Sequence, residues 1–205
     1  MSQQRHPDVD LDTVLNAASA CYLRLGVGQT TAAEIARAVG VSRATLYRRF
    51  GSHTEIFLAV LARESAAMAA DAEAHLAGLS DPRERILEGM LFAMGEIRRR
   101  PVHAAVFGGD AAAWAAGQAM QVEALHRIGE AGVRPLLEGS LAAGAFTDLD
   151  MKDLVDWIIR ILISYAAVPG DGGRSPAEIR RQLNGWFVPA LELRLGTVVA
   201  GPAPA

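Results

Sequence analysis

Between Thr31 and Phe50 the chain reads TAAEIARAVGVSRATLYRRF, a run that admits few local structures. Thr31 followed three places later by Glu34 forms a capping box, and Ile35 with Val39 gives the helix that follows one apolar side. Gly40 supplies a left-handed stop, Val41 fills the angle between two helices, and Ser42 caps the second. At about 100° per residue, Leu46 and Phe50 of that second helix fall inward together. Arg43, Ala44, Thr45, Tyr47, Arg48 and Arg49 are left on or beside its outward face. The spacing predicts a helix-turn-helix over residues 31–50, a unit that presents its second helix to the major groove of DNA.

Charge supports this reading by its placement. The whole chain carries a net charge of -3, mildly acidic for a nucleic-acid partner. From Ile35 to Thr54, however, there are four Arg (37, 43, 48, 49) and no acid. Residues 1–60 hold six Arg and five acids, and residues 61–205 hold 14 basic residues and 18 acids. Basic character is therefore local to the helix expected to meet the phosphate backbone.

From about Asp8 to Met68 the chain resembles the N-terminal domain of the TetR-type (TetR/AcrR) transcriptional repressors. The resemblance is carried by a long first helix, the pattern T-x-x-x-I-A-x-x-x-G-V-S-x-x-T-L-Y-x-x-F, and a long fourth helix. The run GVSRATLYRRFGS is specific, because a generic helix-turn-helix does not dictate Leu-Tyr-x-x-Phe. The resemblance implies an all-α chain with a DNA-binding domain over residues 8–68, a ligand-binding and dimerisation domain over 69–197, and a flexible tail over 198–205. It also implies a homodimer that binds double-stranded DNA at an inverted-repeat operator and is released by a small apolar or amphipathic effector.

Carried over by position, Arg43, Ala44, Thr45, Tyr47, Arg48 and Arg49 face the major groove. Arg43 or Arg48 suits guanine O6 and N7, Ala44 a thymine methyl, and Thr45 and Tyr47 the phosphates. Thr31 caps its helix and lies near phosphate as well. At His53 many relatives carry Lys; a histidine is mostly neutral near pH 7, so a weaker phosphate contact is expected there.

Beyond the reader the glycines, prolines and cap residues divide the chain into further helices, with no convincing strand. A helix is expected over residues 11–25, and Ser52 with Glu55 starts another, running from His53 to about Leu76. Further helices are expected over 82–100, as one or two short pieces within the Ala- and Gly-rich 102–117, and over about 119–143, 150–167 and 176–195. A loop is expected over residues 169–174. Arg98, Arg99 and Arg100 end their helix, where cations oppose its negative dipole end.

Met90, Phe92, Met94, Phe107, Trp114, Met120, Trp157 and Tyr165 are candidates for an apolar pocket, with His103, Glu123, His126 and Arg127 as polar anchors. The last two helices are apolar on more than one face and therefore need several neighbours. Ile158, Leu162, Tyr165, Leu183, Trp186, Phe187 and Leu191 are accordingly expected in an intersubunit four-helix bundle, the arrangement the family resemblance also implies.

Other classes find less support. The chain has no Gly-rich phosphate loop, no H-E-x-x-H, no G-x-S-x-G and no paired Cys ligands, so no enzyme, cofactor or metal site is expected. A DNA-binding protein whose C-terminal half binds a protein partner is the alternative. No apolar run reaches the roughly 18 residues of a membrane span, and MSQQRHPDVD has no signal-peptide core. Cys21, the single cysteine, makes no internal disulfide, and a cytoplasmic location is expected.

Overall fold

A computed structural model of the chain describes residues 10–142, 147–167 and 174–196, without the side chains of residues 139–140 and 193–196. Among the described residues there are ten α-helices and no strand: α1 Leu11–Leu25, α2 Ala32–Val39, α3 Arg43–Phe50, α4 His53–Leu76, α5 Pro82–Arg99, α6 Pro101–Phe107, α7 Ala112–Ala119, α8 Glu123–Ala142, α9 Asp148–Ala167 and α10 Pro176–Gly196. Most of the loop expected over residues 169–174, all but Arg174, and the tail expected over 198–205 lie outside the described residues.

Helix starts are set by side chains that occupy otherwise unpaired backbone N–H groups. Reciprocal capping boxes join Thr31 to Glu34 and Ser52 to Glu55, and Asp10, Ser42 and Asp81 cap α1, α3 and α5. A further box begins α9 two residues earlier than expected: the Thr147 N–H donates to Asp150 Oδ2 (2.9 Å), and the Asp150 N–H donates to Thr147 Oγ1 (3.1 Å). The helix expected from Ala119 begins at Glu123 instead, because α7 runs on to Ala119 and the break falls over Met120–Val122.

Two apolar cores result. The first joins α1 to α4 through Val14, Leu15, Tyr22, Ile35, Leu46, Ile56, Phe57 and Leu61, and continues into Ile97, Val102, Val106 and Phe107 of α5 and α6. The second gathers Ile86, Leu87, Met90 and Met94 of α5 with Leu137 of α8, Met151, Leu154 and Val155 of α9, and Ile179, Leu183, Phe187 and Leu191 of α10. Leu125, Leu162 and Ile163 pack against both. Arg100 pairs with Asp71 of α4 and Glu96 of α5, so the end of the Arg triplet ties two helices together.

One consequence alters the expected dimer surface. The apolar side of α10 lies against α5 of the same subunit, with Leu183, Phe187 and Leu191 buried and Arg180 paired to Glu88 outside them. Helix α10 turns Trp186 outward instead, 80% exposed.

Candidate nucleic-acid interface and effector cavity

The reader is a rigid corner. In α2 the Thr31 N–H donates to Glu34 Oε2 (2.8 Å) and the Glu34 N–H donates to Thr31 Oγ1 (3.3 Å). The Thr31 N–H and then its hydroxyl, both donating to the carboxylate, hold Glu34 below its ordinary range. Gly40 sits at φ +79°, a left-handed backbone that a Cβ would strain, and its N–H closes onto Ala36 and Arg37. Ser42 Oγ accepts from the Thr45 N–H (3.1 Å) and lies 2.9 Å from Thr45 Oγ1. Ile35 and Leu46 are buried where the two helices cross.

On α3 the side chains of Arg43, Ala44, Arg48 and Arg49 are exposed, while Thr45 and Tyr47 are half-buried. Tyr47 and Phe50 pack against the first core. Together with exposed Arg37 this forms a basic face with an aromatic edge. Thr31 is exposed at the start of α2, its hydroxyl donating to Glu34 Oε2 (2.9 Å).

His53 is placed differently from the expectation. Its ring stands edge-on to Tyr22, centroids 6.1 Å apart, and its Nε2 is buried with no hydrogen-bond partner. That nitrogen does not reach toward solvent, and burial holds the imidazole below its ordinary pKa.

The pocket residues divide as well. A cavity of about 210 Å³ lies among α4, α5, α6, α8 and α9, with Ala119 of α7 at its edge. Of the candidates, Met90, His103 and Phe107 line it, together with Ile158 and Leu162 from the expected dimer set. Met94 is buried in the second core and Met120 is packed against it. Trp114 covers Phe57, with ring centroids 5.0 Å apart, and Trp157 lies on Phe187. Glu123 and Arg127 pair with each other on the exposed side of α8. The His126 Nε2 is 3.3 Å from Asp156 Oδ1, bridging α8 and α9, and the Tyr165 hydroxyl donates to Gln182 Oε1 (2.6 Å).

Sequence reasoning missed the residues that make the space. The wall includes Ala69, Ala72, Gly89, Ala93, Gly129 and Gly132, and small side chains leave volume where large ones would fill it. Its polar groups are also few. Ser65 of α4 and His103 of α6 approach to 3.3 Å at Oγ and Nε2. The His103 Nδ1 is buried without a partner, and the ring is held neutral, chiefly by burial. At the C-terminal end of α4, Arg85 of α5 donates to the carbonyls of Leu76 (2.7 Å) and Leu79 (3.2 Å) and to Glu73 Oε2 (3.1 Å), while its Nε is buried without a partner. Among the described residues no group of three His, Cys, Asp or Glu could hold a metal ion, and no helix is long and apolar enough to cross a membrane.

Comparison with known proteins agrees with this outline. Residues 14–60 match the family described as bacterial regulatory proteins, tetR family. An uncharacterised HTH-type transcriptional regulator of Mycobacterium tuberculosis is 26% identical over 185 residues, covering 90% of this chain and 87% of its own. A second, from Mycobacterium bovis, is 44% identical over 55 residues, 27% of this chain and 29% of its own. Among solved structures, the R. erythropolis transcriptional repressor QsdR superposes with TM-score 0.64 at 23% identity, covering 93% of this chain and 96% of its own. RolR in complex with resorcinol gives TM-score 0.64 at 20% identity over 95% of each chain. Thermus thermophilus FadR in complex with lauroyl-CoA gives 0.58 at 20% identity, over 96% of this chain and all of its own.

Proposed function

Because this chain is a transcriptional regulator of the TetR family, we propose that it binds an inverted-repeat operator as a homodimer and leaves it when a small apolar or amphipathic molecule enters the cavity. The observation that carries this reading is the double membership of α4. Its first half places Ile56, Phe57, Val60 and Leu61 in the core of the DNA reader, and its second half places Ser65, Met68, Ala72 and Leu76 on the cavity wall. One continuous helix therefore connects a basic reading face to an apolar space.

In a dimer the two α3 helices enter successive major grooves about 34–36 Å apart. A ligand that favours another separation weakens operator binding, and the operator weakens ligand binding by the same factor. A coupling of about 1–3 kcal/mol corresponds to roughly 5- to 150-fold. That RolR holds resorcinol and Thermus FadR holds lauroyl-CoA supports a small-molecule effector in kind, since both share this fold.

The test begins with selection from random duplexes, which is expected to enrich an inverted repeat. The recovered complex is then titrated with apolar compounds while operator anisotropy is followed. Selection without any enriched repeat would defeat the DNA reading. A compound that occupies the cavity tightly and leaves operator affinity unchanged would defeat the switch.

A further inference from the structure

We propose that the cavity takes an uncharged amphiphile of medium chain length, whose single hydroxyl or carbonyl oxygen is bound at Ser65 and His103. This rests on the effector reading above and adds the ligand's chemical class to it. Three features of the cavity lead there.

The first is charge balance. Arg85 and Glu73, the charged residues among those lining the cavity, already pair with each other. The Arg85 Nη1 is further committed to the carbonyls of Leu76 and Leu79, and only Nε is left without a partner. His103 is buried and neutral, and nearby Arg100 is occupied by Asp71 and Glu96. A carboxylate or phosphate entering this space would lose its hydration and find as its one free guanidinium donor the Arg85 Nε, on a cation whose charge Glu73 already balances, a large cost for a buried charge.

The second is the Ser65 and His103 pair. Ser65 is 8% exposed and His103 1%, so bulk water satisfies neither side chain. With the Oγ and Nε2 contact made, Nδ1 still has no partner, while a hydroxyl offers one donor and two acceptor positions. The pair therefore keeps hydrogen-bonding capacity for one neutral oxygen group. An unsatisfied buried polar atom is costly in the absence of such a partner.

The third is size and shape. A dry cavity of about 150 Å³ accommodates benzene, so 210 Å³ suits a ligand on the order of eight to ten non-hydrogen atoms. From Ser65 to Glu73 the wall runs eight residues along α4, about 12 Å. Between these polar groups the wall is Met68, Met90, Ile97, Ile159, Leu162 and similar side chains. This is a channel for a hydrocarbon chain with its oxygen at the Ser65 end.

Calorimetric titration of the full chain with 1-octanol, octanoate and 1-chlorooctane at pH 7.5 tests the proposal without operator DNA. Binding of 1-octanol is expected, with octanoate roughly 10-fold weaker or more, because the carboxylate must be desolvated. Ser65→Ala and His103→Leu are each expected to weaken 1-octanol by roughly 3- to 10-fold, the yield of one hydrogen bond, and to leave 1-chlorooctane within about twofold. Should His103→Leu fold poorly, Ser65→Ala decides alone. Octanoate binding more tightly than 1-octanol, equal losses for the alcohol and the chloroalkane, or no binding by any of the three overturns the assignment. Binding as expected without operator release would leave the ligand class standing and remove the switch.

Discussion

Trp157 and Phe187 hold their ring centroids 4.9 Å apart, and only one of the two is covered: Phe187 is 2% exposed and Trp157 42%. Phe187 belongs to the subunit's own interior, whereas Trp157 and the neighbouring Trp186 offer aromatic surface from α9 and α10. A Trp is a large apolar group to leave in water, and such residues dominate protein interfaces. Trp186→Glu, alone or with Trp157→Glu, is expected to give folded monomers in light scattering at micromolar concentration. Phe187→Glu is expected to unfold the subunit instead, since even truncation of a buried Phe costs about 3–5 kcal/mol. A Trp186→Glu protein that remains dimeric would move the interface elsewhere.

On the DNA face, the two kinds of contact separate by experiment. Arg48→Ala or Arg43→Ala is expected to relax preference at one base position in each half-site, by about 1–3 kcal/mol of discrimination. If the Tyr47 hydroxyl meets phosphate as proposed, Tyr47→Phe is expected to weaken binding nearly equally on all sequences, by about 1 kcal/mol. Anisotropy titrations on a set of single-base operator variants distinguish the two patterns. A sequence-dependent effect of Tyr47→Phe would assign base reading to that residue.

Acid stability follows from buried His103 and half-buried His53. Burial holds both His53 and His103 below the ordinary value of 6.5 in the folded chain. Unfolded histidines therefore take up protons first as pH falls, and the folded state loses stability from about pH 6.5 downward. Above that pH both states are neutral and the contribution is complete. Each group adds a slope of at most about 1.4 kcal/mol per pH unit in this window. Urea melts at pH 7.5, 6.5 and 5.5 are expected to show the decline, and His103→Gln is expected to reduce it. The lowered carboxyls, Glu34, Asp81, Asp156 and Glu178, act only at lower pH, below their ordinary 3.8 to 4.5. A flat profile between pH 7.5 and 5.5 would contradict the lowered pKa of both rings.

Two glycines of α8 make a matched pair. A Cβ at Gly129 would stand 2.8 Å from Val155 Cγ1, a buried and β-branched neighbour, whereas a Cβ at Gly132 meets nothing within 4 Å. Gly132→Ala is expected to gain about 0.5–1 kcal/mol from helix propensity. Gly129→Ala is expected to be less stable than Gly132→Ala by about 1–3 kcal/mol, because overpacking opposes the same gain. Equal melting curves for the two would mean that α8 and α9 part easily.

These glycines also show where the sequence was readable. Helix starts such as Thr31 with Glu34, Ser52 with Glu55 and Ser175 with Glu178 are local chemistry, written within four residues. The reader was legible for the same reason, since Gly40, Ser42 and Leu46 act on their immediate neighbours. The break between α7 and α8 was expected just after Gly117, but its place at Met120–Val122, which carries no glycine or proline, was not legible. Large residues mark this cavity poorly: Trp114 and Trp157 lie partly in solvent, while Gly89, Ala93 and Gly129 form part of the wall. Volume left empty by small side chains on three helices, α4, α5 and α8, has no local signature. Nor does the meeting of Ser65 with His103, which are 38 residues apart.

Leu125, Leu162 and Ile163 touch both apolar cores, and Val102, Val106 and Phe107 of α6 complete the core that α1 begins. Neither half can loosen without uncovering apolar surface of the other. Heating the chain should therefore produce one calorimetric peak with equal calorimetric and van't Hoff enthalpies for the cooperative unit. A compound bound in the cavity, or a duplex bound to α3, then raises the same melting temperature, by an amount set by its concentration relative to its Kd. The fused interior makes the whole chain its own reporter, so that a melting scan registers occupancy at either end.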